Sequence, residues 1–188
     1  MKRCLFLVVL ILLSCTAIAD VEKMAMTTES GSIHLLWWPK VDPPAGWHFD
    51  ESASRHHAFK AFAPDGSIFA NAETVMYAEA MYKPRMPEIG SLDALMERDI
   101  SNFAAHKVKA ARKESLLSGD GKTFQVIAFS PEADGNGNWE CVAFGEEEDK
   151  EGNEYFILFV VSSRTKDGLA DAMSAYQSLI SSYKTIEP

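Results

Sequence analysis

YFILFVVSSRTKDGLADAMSAYQSLISSY, residues 155–183, decides the fold. Its first part, Tyr155–Ser162, is a short apolar run rich in β-branched and aromatic residues, which reads as a strand. Its second part changes period. Leu169, Ala172, Met173, Tyr176, Leu179, Ile180 and Tyr183 recur at helical spacing and form one apolar stripe, and Thr165 stands where a side chain can cap the first turn. A buried strand handed directly to an amphipathic helix predicts a sheet with a helix packed on it.

Working upstream, strands are expected at Trp139–Phe144, Thr123–Ser130 and about Ala110–Leu117, with Ser118-Gly119-Asp120-Gly121 turning between the last two. Before them, Leu92, Leu95, Met96, Ile100 and Phe103 predict a helix over Ser91–His106, with Asp93 complementing its N-terminal dipole. Lys83–Gly90 carries prolines and reads as a loop. His57–Ala63 and Ile68–Tyr82 are expected as a hairpin around the turn Pro64-Asp65-Gly66-Ser67. Ser32–Trp38 reads as a further strand, and Pro39–Gly46 as a rigid irregular segment. Together these give one α+β domain over residues 32–188, an antiparallel sheet with two main helices packed on it. Asp20–Gly31 is polar, lacks clear periodicity, and is expected to be a leader or tether.

The N-terminus carries a separate message. Lys2 and Arg3 precede the apolar run Leu5–Leu13, and Ala17-Ile18-Ala19 ends a short small-residue stretch, the layout of a cleavable export signal over residues 1–19. The run is far shorter than the roughly 20 residues that span a bilayer. Leu12-Leu13-Ser14-Cys15 also reads as a lipobox, which would make a lipidated Cys15 the mature terminus and the only route to a membrane. Cleavage after Ala19 gives a periplasmic or secreted protein, and lipidation gives a membrane-anchored one. Of three cysteines, Cys141 alone then remains in the folded part, so no intramolecular disulfide is expected. About 170 residues must be held by core burial, a length that suits one domain.

The chain carries a net charge of −9, and loss of Lys2 and Arg3 makes it more acidic. An acidic chain read as having no basic cluster is repelled by phosphate backbones, so no nucleic-acid partner is expected.

The order of these elements, with Pro44-Ala45-Gly46-Trp47 before a hairpin, Gly121-Lys122 before a strand, and Ser181-Ser182-Tyr183 closing the last helix, resembles the PsbP-like α/β/α sandwich family. That group includes a photosystem II extrinsic subunit, a nuclear Ran-binding factor and DcrB-type bacterial envelope proteins. The resemblance implies a non-enzymatic accessory or binding role with a protein partner, and it brings no catalytic residues or cofactor.

Candidate chemistry is sparse. His56-His57 would point to opposite faces of a strand and could not readily share a metal. Asp134-Gly135-Asn136-Gly137-Asn138 starts like a calcium loop, but Trp139 and Gly145 stand where Gly and Glu are needed. Cys141 lies in an apolar strand and reads as an inert thiol. The acidic run Glu146-Glu147-Glu148-Asp149-Lys150-Glu151-Gly152-Asn153-Glu154 is expected as a solvated hairpin loop, with a docking surface for a basic partner (Glu146, Glu147, Glu148 and Asp149) or a weak divalent-cation site as the sharper readings. Trp37, Trp38 and Trp47 concentrate aromatic surface. They are expected mainly to cover one end of the sheet, with any exposed part serving as a partner contact. The functional expectation is an exported, non-enzymatic binding protein of the bacterial envelope, with a periplasmic small-ligand or cation binder as the alternative and an envelope hydrolase a weaker third reading.

Overall fold

The computed structural model describes residues 21–27, 31, 33–133, 135 and 137–184. The chain runs through β1 (Val21–Thr27), β2 (Ile33–Pro39), β3 (Trp47–Phe49), α1 (Glu51–His57), β4 (Lys60–Pro64) and β5 (Thr74–Tyr82). A 3-10 turn over Lys83–Arg85 leads to α2 (Leu92–Ala105), and then come β6 (Val108–Leu117), β7 (Thr123–Pro131), β8 (Trp139–Glu148), β9 (Glu154–Ser163) and α3 (Lys166–Ser182). Seven strands form one sheet in the order β3-β4-β5-β9-β8-β7-β6, and each neighbouring pair is antiparallel. β1 and β2 make a separate antiparallel hairpin that packs beside β5.

β9 sits at the centre of the sheet and every residue from Tyr155 to Ser163 is buried. That is why it reads as an unbroken apolar run: both of its faces are covered. Tyr155, Ile157, Phe159 and Val161 face one core, together with Ala172, Tyr176, Leu179 and Ile180 of α3. Phe156, Leu158 and Val160 face a second core, together with Leu95 and Met96 of α2. The two helices therefore lie on opposite faces, and the α+β sheet-and-helix architecture is an α/β/α sandwich. Both helices start as their sequences dictate: Thr165 Oγ1 accepts from the Gly168 amide at 3.0 Å, and Ser91 Oγ accepts from the Ala94 amide at 3.2 Å. Tyr176 joins helix to sheet by donating its hydroxyl to the Phe159 carbonyl at 2.8 Å. On β8, a Cβ at Gly145 would collide with the Phe124 ring, so the bare backbone there lets Phe124 lie across the strand.

In the N-terminal half, three segments depart from expectation. Residues 21–27, read as part of a leader, form β1. Its lysine and glutamate are tied to distant partners, Glu22 to Lys60 at 3.1 Å and Lys23 to Asp149 at 3.0 Å. Residues 51–57 form α1, where a strand was expected to begin at His57. Asp50 Oδ1 accepts from the Ala53 amide at 3.0 Å, Glu51 and Arg55 pair one turn apart, and Ala58 ends the helix at φ 66°. The long strand expected from Ile68 begins only at Thr74. Residues before it are held in turns by Asp50 Oδ2, which accepts from the Phe69 amide, and Asn71 Oδ1, which accepts from the Ile68 amide. The β4–β5 hairpin survives, with Lys60 opposite Ala78. The export signal, Cys15, Asp134 and Asn136 lie outside the described residues.

Candidate functional site

Alternation along β2 sorts its side chains into two sets. Leu36 and Trp38 turn inward; Trp38 is 1% exposed, and its Nε1 donates to the Ala58 carbonyl at 3.0 Å. Ile33, Leu35 and Trp37 share the outer face, where Ile33 is 70% and Leu35 47% exposed. Trp37 is half-buried, and its inner edge packs against the α3-side core. Its ring stacks on Tyr82 with centroids 5.2 Å apart, and the Arg85 guanidinium lies 4.3 Å from its ring centre. Arg85 is presented by the 3-10 turn, and its Nη1 donates to the Leu35 carbonyl at 3.3 Å. A cavity of about 230 Å³ opens beside this group, bordered by Trp37, Met81, Arg85 and Met86. The result is an exposed apolar strip backed by a fixed tryptophan and an arginine.

The other sequence candidates fall elsewhere. Trp47 is half-buried against the α3-side core, its amide bonded to the Pro44 carbonyl at 3.0 Å. The acidic run turns where expected only over residues 149–153, with Lys150, Glu151 and Gly152 exposed, because the β8 ladder continues through Glu148. Glu146 and Glu148 are exposed, and Glu146 pairs with Lys83. Glu147 is buried and paired with Lys122; burial raises its carboxyl above the ordinary value, opposed by that lysine. Asp149 is also buried and organises the turn. It accepts from the Glu151 and Asn153 amides at 2.9 Å, from the Asn153 side chain at 3.0 Å and from the Tyr155 hydroxyl at 3.0 Å. Burial alone would raise the Asp149 carboxyl, but the bonds from Asn153, Lys23 and Tyr155 outweigh it and hold the group well below the usual carboxylate range. The Lys23 ammonium already fills the space between Asp149 and Glu151, where a cation would sit.

His56 and His57 are exposed on α1, and the His57 ring stacks on Phe59 at 5.2 Å. Among the described residues no group of three or more His, Cys, Asp or Glu side chains could hold a metal. Cys141 is buried, and burial pushes its thiol up to about 11, with Lys113 acting weakly in the other direction. That is the reverse of an activated nucleophile. Sequence reasoning missed Arg85, and it missed a basic strip leading into and along β6, in which Lys107, Lys109, Arg112 and Lys113 are all exposed. The signal was present as KVKAARK, and it corrects the reading that the chain has no basic cluster.

On the α2 side, burial raises the carboxyls of Glu79, Asp99 and Glu140. Glu140 accepts from the Ser162 hydroxyl at 2.8 Å, and Glu79 also borders the cavity beside Trp37. Raised folded-state values mean that the native state takes up protons before the unfolded chain does. Their penalty is present at neutral pH and is relieved as pH falls through the folded values toward the ordinary 4.5 of glutamate. Asp149 acts oppositely: its contribution is intact above the ordinary 3.8 and is lost as pH drops below it. Thermal melting is therefore expected to peak in mild acid rather than at neutrality, and Glu140→Gln is expected to flatten the neutral-to-acid rise. Scanning calorimetry across the pH range checks both.

No family model matches the chain, and no curated protein matches it. Among solved structures it is similar to the 1.9 Å crystal structure of the Saccharomyces cerevisiae Ran-binding protein Mog1p, with 7% identity, a TM-score of 0.46, and coverage of 89% of this chain and 97% of that one.

Proposed function

We propose that the protein is an exported, non-enzymatic accessory protein of the bacterial cell envelope, of the PsbP-like type, which holds a protein partner against the outer face of the β1–β2 hairpin. The observation that carries this reading is the union of exposed Ile33 and Leu35 with Trp37, stacked on Tyr82 and beneath Arg85. Tryptophan, tyrosine and arginine are the residue types that dominate binding hot spots, and here their rotamers are already fixed, which lowers the entropy cost of association. Export rests on the signal-like first nineteen residues, with release after Ala19 or a lipid anchor at Cys15 as the two forms. Mass spectrometry of the mature N-terminus separates them.

Replacing Ile33 and Leu35 by aspartate tests the contact. Both side chains are exposed, so stability should change by no more than about 0.5 kcal/mol for each substitution, about 1 kcal/mol for the pair. Affinity for the partner recovered from envelope extracts should drop by about 2 kcal/mol or more, roughly 30-fold. Unchanged affinity in a folded double variant would remove the hairpin from the interface.

A further inference from the structure

α3 covers the central strands, and between it and the β6–β8 half of the sheet lies a groove of about 580 Å³. That volume is within the ~300–1,000 Å³ typical of small-ligand sites. Its floor is built from small side chains, Val126 and Ala128 of β7 and Cys141 of β8. Leu169 and Met173 of α3 form one wall and Leu116 of β6 the other. Trp139 is part of the lining, and the Lys166 ammonium lies 5.9 Å from its ring centre.

The charges around this apolar groove set it apart. Lys23, Lys60, Lys83, Lys109, Lys122 and Lys150 are all ion-paired, and Lys184, without a carboxylate partner among the described residues, lies away from the groove at the end of α3. Lys113 and Lys166 both line the groove, both are exposed, and among the described residues neither has a carboxylate partner. Glu114 lies on the same lining and pairs with neither of them. The placement of Lys166 does nothing for its own helix, since a cation in the first turn opposes the helix dipole. In a chain of net charge −9, two uncompensated ammonium groups flanking one apolar groove select an anion with an apolar body. Strand addition by a peptide is disfavoured at the neighbouring edge, because β6 carries exposed lysines and arginine and a register break between Lys113 and Leu116.

We infer that this groove binds a free single-chain amphiphile with an anionic head, of the medium-chain carboxylate class, with its chain along Leu116, Leu169 and Met173 and its head between Lys113 and Lys166. The groove shares no residue with the hairpin face, so each stands or falls alone.

The test is calorimetric titration of the purified protein with sodium laurate below its micelle threshold, alongside dodecanol and vesicles of phosphatidylglycerol. Laurate should bind saturably at one site, with dodecanol about tenfold weaker or more. Lys113→Gln with Lys166→Gln should cost laurate about tenfold and leave dodecanol unchanged. Ala170→Trp, at an exposed lining position on α3, should block both ligands. I33D/L35D should leave laurate binding intact. Absence of saturable laurate binding, insensitivity to the lysine variants, or binding to vesicles without binding of monomeric laurate would each overturn the assignment. If the tryptophan variant does not fold, the two surface lysine changes still decide it.

Discussion

Replacing Phe159 by alanine is expected to destabilise the protein by about 3–5 kcal/mol, the cost of emptying a large aromatic site in a packed core. Phe159 lies on the central strand with no exposed surface. Its ring meets Phe124 at 5.2 Å and Tyr183 at 5.7 Å, both edge-on. Neighbours on β8 and β5 flank it in the sheet, and α3 covers it, so the site cannot collapse without moving several elements at once. Tyr176→Phe is the matched milder change. It removes the hydroxyl donated to the Phe159 carbonyl but keeps the ring, and should cost about 1 kcal/mol. Urea unfolding of both variants checks the order. Equal effects would mean that the hydrogen bond, not the packing, anchors α3 to the sheet.

Asp149→Ala is the second large effect, expected at about 3 kcal/mol. The carboxylate is the acceptor for two amides of its own turn, for the Asn153 side chain and for the Tyr155 hydroxyl, and it pairs with Lys23 of β1. Lys23 is 44% exposed and can return to water, which limits its share of the loss. Tyr155 is buried and cannot. Asp149→Asn keeps an acceptor and should lose about half as much. This result separates two roles for the acidic run. A docking carboxylate would lose a partner with stability unchanged, whereas a turn-organising one loses stability directly.

How much of this was legible before the fold depended on where each residue's partners lie. β9 and α3 could be read because local pattern carries them: a continuous apolar run for a strand buried on both faces, and a capped 3.6-residue stripe for the helix. α1 has no stripe to read, since Ser54 is its one buried residue, and a non-glycine left-handed residue, Ala58, ends it. Its signal was the cap Asp50 with Glu51 and Arg55 one turn apart. β1 was opaque for a different reason. Lys23 finds Glu151 128 residues away, and Lys60 reaches Glu22 across 38, so no local window contains what orders the strand.

The candidate site shows the same division. Trp37 and Trp38 are adjacent and chemically equivalent in sequence; which one is fully buried and which stays partly exposed is set by the phase of the β1–β2 register, with Trp37 opposite Lys23 and Trp38 opposite Glu22. Glu147 looked like one of several solvated acids. It is buried because the ladder continues to its pairing with Tyr155, a contact set by the strand rather than by charge. Arg85 carried no motif at all, and only the 3-10 turn after β5, from which its guanidinium reaches the Leu35 carbonyl of β2, places it over Trp37.

The hairpin contact is tested most directly by site-specific photo-cross-linking in intact cells, with the reactive residue at Leu35 and, as a control of comparable exposure, at Leu117 on β6, which is 57% exposed. The predicted result is a discrete protein adduct from position 35 and none from position 117. An adduct from 117 with none from 35, or no adduct from either, would contradict a partner held on the outer face of β2.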